Sequence, residues 1–124
     1  MLVNQGIKSS VFHVGNDNFV VDWFVHNAVT RKARPLIPGH DFVVIPEIWA
    51  VPFAEKFDQM RIDYAIFVQN GYLINQSVEP RNLHLIKRAY ENAQLIMSIS
   101  KDTTEMIRLA YPQLNPQKII RLLP

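Results

Sequence analysis

Two stretches of sequence decide the fold: Asp41-Phe-Val-Val-Ile-Pro-Glu47 and Asp63-Tyr-Ala-Ile-Phe-Val-Gln-Asn-Gly71. Each is a run of β-branched and aromatic residues that begins at an aspartate and ends abruptly in polar residues. A strand that is apolar on both faces must be covered on both faces, as in the parallel sheets of α/β proteins. Such sheets bind ligands at the carboxyl ends of their strands. We therefore expect Glu47 and the 69–71 segment to lie in a ligand-binding crevice.

The rest of the chain alternates strand patterns with helix patterns. This alternation predicts an α/β fold, in the form of a Rossmann-like three-layer domain with a mostly parallel sheet. The predicted strands lie near residues 11–14, 42–46, 63–69, 95–99 and 118–123.

Three helices are predicted between these strands. One covers 52–60, with Pro52 in its first turn, and one covers 82–93, where apolar residues recur at three- and four-residue spacings. The third follows Asp102-Thr-Thr-Glu105, a pattern that predicts a capping box. The 19–30 segment fits either a strand or a helix capped by Asp17.

Bulk composition excludes several classes of function. The 124 residues suffice for a single domain. The net charge is only +2 and the basic residues are scattered along the sequence, so no nucleic-acid partner is expected. The chain has no cysteine, hence no disulfide and no thiolate site. We find neither a membrane span nor a signal peptide in the sequence and expect a cytoplasmic protein.

Most short motifs are missing. With 4 glycines, the chain assembles neither a dinucleotide fingerprint nor a phosphate loop, and its 4 histidines are too dispersed for a helical metal pair. We therefore expect no cofactor and no metal. Glu47 and Glu55 form an E-x₇-E pattern. We interpret it as coincidence, because no glycine-rich loop precedes it.

The remaining candidates each have a structural alternative. Asn70-Gly-Tyr72 is either a ligand loop or an ordinary turn. Gly71 is expected to tolerate substitution poorly if it holds a positive φ or lets a ligand approach the backbone. Ser98 and Ser100 either bind an anion near a helix start or serve as caps and loop contacts.

The order of these segments resembles one family of enzymes. Five segments carry the resemblance: Asp41–Glu47, Ile66–Tyr72, Ser98–Thr103, Tyr111-Pro112 and Ile119–Pro124. In this order they are similar to the N-terminal half of GT-B glycosyltransferases of the retaining, glycosyl-group-1 kind, from bacterial surface-polysaccharide synthesis.

The resemblance implies an acceptor-side domain. Such a domain takes part in moving a sugar from a nucleotide-sugar to a glycan or lipid-linked acceptor, while a second domain holds most of the nucleotide-sugar. We expect residues 1–124 to be this first domain, trimmed at both ends and inactive alone, and we assign no residue as nucleophile or general base. The residues expected to line its cleft are Glu47, Asn70, Gly71, Tyr72, Ser98 and Ser100.

Two other functions remain open from the sequence. The chain could be a non-catalytic α/β domain that binds a partner or forms a homodimer, since a missing edge strand would leave open backbone groups. A flavodoxin-like regulator is a weaker alternative, because no acidic cluster or phosphate loop is visible.

Overall fold

The computed structural model describes residues 6–11, 29–30, 35–75 and 78–123. The chain divides into two compact units, Met1–Pro35 and Leu36–Pro124. In the first unit, strand β1 (Ser10–Val11) pairs in parallel with β2 (Val29–Thr30). The predicted strand at 11–14 lies outside the described residues beyond Val11, as does the ambiguous 19–30 segment before β2. That the chain is a single domain stays a prediction.

The second unit contains the four-stranded parallel sheet that the sequence predicted. Its strands are β3 (Phe42–Pro46), β4 (Asp63–Val68), β5 (Leu95–Ser98) and β6 (Ile119–Arg121), and they lie side by side in that order. Every neighbouring pair is parallel. The fold is therefore α/β with a parallel sheet flanked by helices, consistent with the predicted Rossmann-like three-layer domain.

Three helices follow the strands: α1 (Ala50–Met60), α2 (Leu83–Asn92) and α3 (Lys101–Ala110). The predictions of 52–60 and 82–93 found the first two within two residues. A 3-10 turn at Glu47–Trp49 precedes α1, and another at Pro80–Asn82 precedes α2. Within the described part of the chain, no helix has the length and apolar character needed to cross a membrane.

All three helices contact the same face of the four-stranded sheet. Tyr64 of β4 lies against α1 through the Phe57 ring, 5.9 Å away, and donates its hydroxyl to the carbonyl of Ala89 in α2 at 2.9 Å. Ser98 of β5 bonds Thr104 of α3 at 2.6 Å. Because strand residues alternate between faces and Ile66 pairs with Ile96, Tyr64 and Ser98 point to this shared face.

The opposite face of the sheet carries a second group of apolar side chains. Phe42 and Val44 of β3 alternate with the inward residues Val43 and Ile45, and they are 50% and 48% exposed. This explains why the run from Phe42 is apolar at every position: one half packs under the helices and the other half forms a separate apolar surface.

The predicted capping box at Asp102 is wrong. The N-cap of α3 lies two residues earlier, at Ser100, whose backbone is extended (φ -150°, ψ 167°). Ser100 Oγ accepts the backbone N–H of Thr103 at 3.0 Å, so Asp102 lies inside the first turn. Glu105 pairs instead with Arg108, at 2.9 Å.

Candidate functional site

Three neighbouring strands end in polar residues at one edge of the sheet. Glu47 directly follows β3, Asn70 comes two residues after β4, and Ser100 comes two residues after β5. Because β3, β4 and β5 are adjacent and parallel, their carboxyl ends share this edge. These three residues therefore lie at strand ends on the same side of the sheet, and their lining of a ligand-binding cleft stays a prediction.

Glu47 ties the ends of β3 and β4 together. Its Oε1 accepts the backbone N–H of Asn70 at 3.3 Å. Asn70 in turn caps the following 3-10 turn, Gly71–Leu73, because its Oδ1 accepts the backbone N–H of Tyr72 at 3.1 Å. The carboxylate and the amide oxygen thus fix the shape of the 70–73 loop.

Gly71 occupies a different environment from the one predicted. It is buried, and a Cβ atom at this position would lie 2.7 Å from Cβ of Met106 and 3.2 Å from Cα of Thr103. Among the described glycines, positive φ occurs at Gly6 and Gly39, so the positive-φ alternative does not apply to Gly71. Glycine is required here because the turn packs directly on α3.

Tyr72 supplies the aromatic side chain of the 70–73 loop. It is 63% exposed. A hydrogen bond to the Asp102 carboxylate raises the pKa of its hydroxyl. Its ring face is open to a ligand, and Asp102, which was not among the predicted site residues, orients its hydroxyl.

The two serines have structural partners. Ser98 is 0% exposed, and its Oγ lies 2.6 Å from Oγ1 of Thr104, which joins β5 to α3. Ser100 is the N-cap of α3 and also donates its hydroxyl to Oγ1 of Thr103 at 3.0 Å. The geometry supports the capping alternative for Ser100 and a strand–helix contact for Ser98, and ligand binding by either residue stays a prediction.

A stacked pair of buried tyrosines was not predicted from the sequence. Tyr90 and Tyr111 stack with ring centroids 4.6 Å apart, and the Tyr111 hydroxyl donates to Oδ1 of Asn75 at 2.7 Å. Burial raises the pKa of Tyr111 to about 12. Tyr90 belongs to the apolar spacing over 82–93, but spacing does not indicate which group its phenol oxygen contacts.

The E-x₇-E pattern does not form one site. Glu47 contacts the loop after β4, whereas Glu55 lines a groove between α1 and α2 together with Asp58 and Arg88. This separation supports the interpretation of the spacing as coincidence. Among the described residues, no three histidine or acidic side chains come close enough together to hold a metal ion.

Comparison with known proteins adds no identification. No protein-family profile, no curated protein and no solved structure matches the chain.

Proposed function

We propose that this chain is the acceptor-side domain of a GT-B glycosyltransferase of the glycosyl-group-1 kind. In this proposal it works in the cytoplasm and presents a glycan or lipid-linked acceptor to a nucleotide-sugar, which a second domain holds. The observation that carries the proposal is the joining of the β3 and β4 ends by Glu47 and Asn70, at the edge where parallel sheets bind ligands.

The exposed groups at this edge suit a carbohydrate. Tyr72 offers an open ring face for a sugar ring, and a phenol combines an apolar surface with a polar tip. The Asn70 side-chain N–H₂ makes no hydrogen bond to the described residues and is a donor for a sugar hydroxyl. The loop that carries both groups is held by the hydrogen bond from Asn70 to Glu47 and by the packing of Gly71 on α3. Its conformation is therefore fixed before a ligand binds.

The same groups do not suit a nucleotide-sugar. In the described part of the chain, the edge offers no glycine-rich loop to surround a pyrophosphate. A sugar transfer gains from holding donor and acceptor together, so this domain alone is expected to be inactive.

Calorimetry separates the two ligand classes. The purified chain is titrated with UDP-glucose and, separately, with a short-chain polyisoprenyl phosphate that carries a sugar. We expect heat of binding from the second ligand and little from the first. Micromolar binding of UDP-glucose to this chain alone would refute the assignment to the acceptor side.

A second candidate function is association with another copy. The half-exposed side chains of Phe42 and Val44 favour it, because contiguous exposed apolar surface on a sheet commonly marks an interface. Two-fold pairing is the commonest way for one chain to cover such a surface. Sedimentation of the wild type and of Val44→Asp tests it: a monomer at high concentration in both cases excludes this function.

A further inference from the structure

The loop after β4 contains a pair of residues that is chemically reactive. Asn70 is followed by Gly71, and no other asparagine in the sequence precedes a glycine. In such a pair the backbone nitrogen of the glycine can attack the side-chain carbonyl carbon of the asparagine, because glycine has no Cβ to obstruct the approach. Asn70 is exposed, so water reaches its side chain. The pair is therefore a candidate site of spontaneous deamidation.

The reaction exchanges one amide bond for another and then consumes water. The Gly71 nitrogen forms a bond to Cγ of Asn70, the Cγ–Nδ2 bond breaks, and ammonia leaves with the proton that the Gly71 nitrogen gives up. Water then hydrolyses either carbonyl of the resulting succinimide ring. The residue at position 70 becomes aspartate or isoaspartate, and in isoaspartate the main chain continues through the former side chain and is one carbon longer. Water is the sole co-reactant.

The folded loop holds Asn70 in a conformation that opposes ring closure. Closure requires a negative ψ at the asparagine, whereas Asn70 has φ -137° and ψ 101°. Its backbone N–H donates to Oε1 of Glu47 at 3.3 Å, which fixes the chain before the rotating bond. Its Oδ1 accepts the N–H of Tyr72 at 3.1 Å, which ties the side chain to the chain after that bond. A change of ψ must therefore break the hydrogen bond to Tyr72.

The packing of Gly71 on α3 opposes the same movement. Gly71 is buried, and a Cβ atom there would lie 2.7 Å from Cβ of Met106 and 3.2 Å from Cα of Thr103. Since Glu47 fixes the preceding backbone, a change of ψ at Asn70 moves Gly71 away from this contact. Deamidation therefore requires the 70–73 loop to leave α3. Its rate is the intrinsic rate multiplied by the fraction of molecules in which the loop is open.

We propose that Asn70–Gly71 is a deamidation site controlled by opening of the 70–73 loop, and that isoaspartate formation releases this loop from α3 permanently. Isoaspartate adds a carbon to the main chain between two fixed points, the hydrogen bond to Glu47 and the contact of Gly71 with α3. It also places a negative charge on the residue whose N–H binds the Glu47 carboxylate, and like charges at short distance repel. Both changes oppose reclosure of the loop, whatever ligand the loop binds.

Peptide mass spectrometry tests the control by loop opening. The full chain is incubated at mildly alkaline pH with and without guanidinium chloride, and deamidation at Asn70 should be more than roughly tenfold faster in the denaturant. Glu47→Ala removes the acceptor for the Asn70 N–H and should accelerate the reaction in the folded chain by roughly tenfold, the factor for one hydrogen bond to a charged group. The control Glu55→Ala removes the same charge from an exposed position of α1 and should leave the rate unchanged.

Hydrogen exchange tests the release of the loop. Chromatography separates the isoaspartate form of the folded chain, in which the Tyr72 amide should exchange faster than in the unmodified chain. The proposal is overturned if Asn70 deamidates equally fast in the folded and denatured chain, if neither form deamidates, or if the Tyr72 amide keeps its protection in the isoaspartate form. It is also overturned if folded Glu47→Ala reacts no faster than Glu55→Ala. The wild-type comparison is decisive even if Glu47→Ala fails to fold.

Discussion

Gly71 lies against α3 so closely that a Cβ atom there would come within 2.7 Å of Cβ of Met106. The neighbouring backbone of Thr103 would be 3.2 Å from the same atom. The loop after β4 and the first turns of α3 are thus one packed unit. The loop owes its position to this packing as much as to its own hydrogen bonds.

Gly71→Ala is therefore expected to destabilise the chain by about 1–3 kcal/mol, the usual cost of overpacking. Chemical denaturation measures it. Gly39 provides the control, because it has φ +74° and nothing within 4 Å of a Cβ position. Asparagine tolerates such a φ, so Gly39→Asn should be nearly neutral while Gly71→Asn should be at least as harmful as Gly71→Ala. Equal effects at both positions would contradict the packing explanation.

Replacing Arg61 with glycine is expected to stabilise the chain. Arg61 ends α1 in the left-handed conformation (φ 55°, ψ 40°), where a side chain is strained and glycine is not. Arg61→Gly should raise the free energy of unfolding by up to about 1 kcal/mol. The control Lys56→Gly, at an exposed interior position of α1, should lower it by about 1 kcal/mol. A loss of stability in both variants would contradict the role of Arg61 as a strained cap.

The cap of α3 gives a second pair of variants. Ser100→Ala removes the acceptor for the Thr103 N–H and should cost about 1 kcal/mol. Asp102→Asn leaves the Ser100 cap in place and removes only the attraction between the Asp102 charge and the helix dipole. It should therefore lower the free energy of unfolding by no more than about 0.3–1 kcal/mol. Thermal unfolding compares the two. A larger loss for Asp102→Asn would restore the capping box that the sequence suggested.

Stability is expected to fall steeply in alkali. Burial is the main reason that the pKa values of Tyr64, Tyr90 and Tyr111 are raised, so these phenols stay neutral in the folded chain while in the unfolded chain they ionise near pH 10.0. Their contribution is complete below pH 10.0 and is lost as the pH rises toward 12 and beyond. In that pH range each buried phenol lowers the free energy of unfolding by about 1.4 kcal/mol per pH unit.

Tyrosinate absorbance and circular dichroism, recorded together, check this prediction. The three buried phenols should ionise only as the helices are lost, whereas the exposed Tyr72 should ionise while the chain is still folded. Reversible ionisation of all the tyrosines in a chain with intact helical signal would contradict the burial that the structure shows.

The strands could be predicted from the sequence because each is specified by its own continuous run of apolar residues. The runs at 42–46 and 64–68 carry apolar or aromatic side chains at every position, and no helix pattern competes with them. The predicted start of α3 failed because Ser100 and Asp102 are both good N-caps, and the choice between them depends on packing with β5 through Ser98 and Thr104. Sequence alone does not contain that contact.

Some features of the candidate site could also be predicted from the sequence, and others could not. That Glu47 and Asn70 follow neighbouring strands could be predicted from the pattern of apolar runs. The environment of Gly71 and the stacking of Tyr90 on Tyr111 could not, because each depends on a contact between segments far apart in the chain.

The most direct test of the central claim is to map ligand contacts by NMR on the isotope-labelled chain. A sugar-bearing polyisoprenyl phosphate should shift the amide signals of Asn70, Tyr72 and Lys101, at the carboxyl ends of β4 and β5, and UDP-glucose should leave them unchanged. Tyr72→Ala should weaken the acceptor-induced shifts without changing the melting temperature. If UDP-glucose shifts these signals, or if the acceptor shifts only the signals of the α1–α2 groove, this edge of the sheet is not the acceptor site.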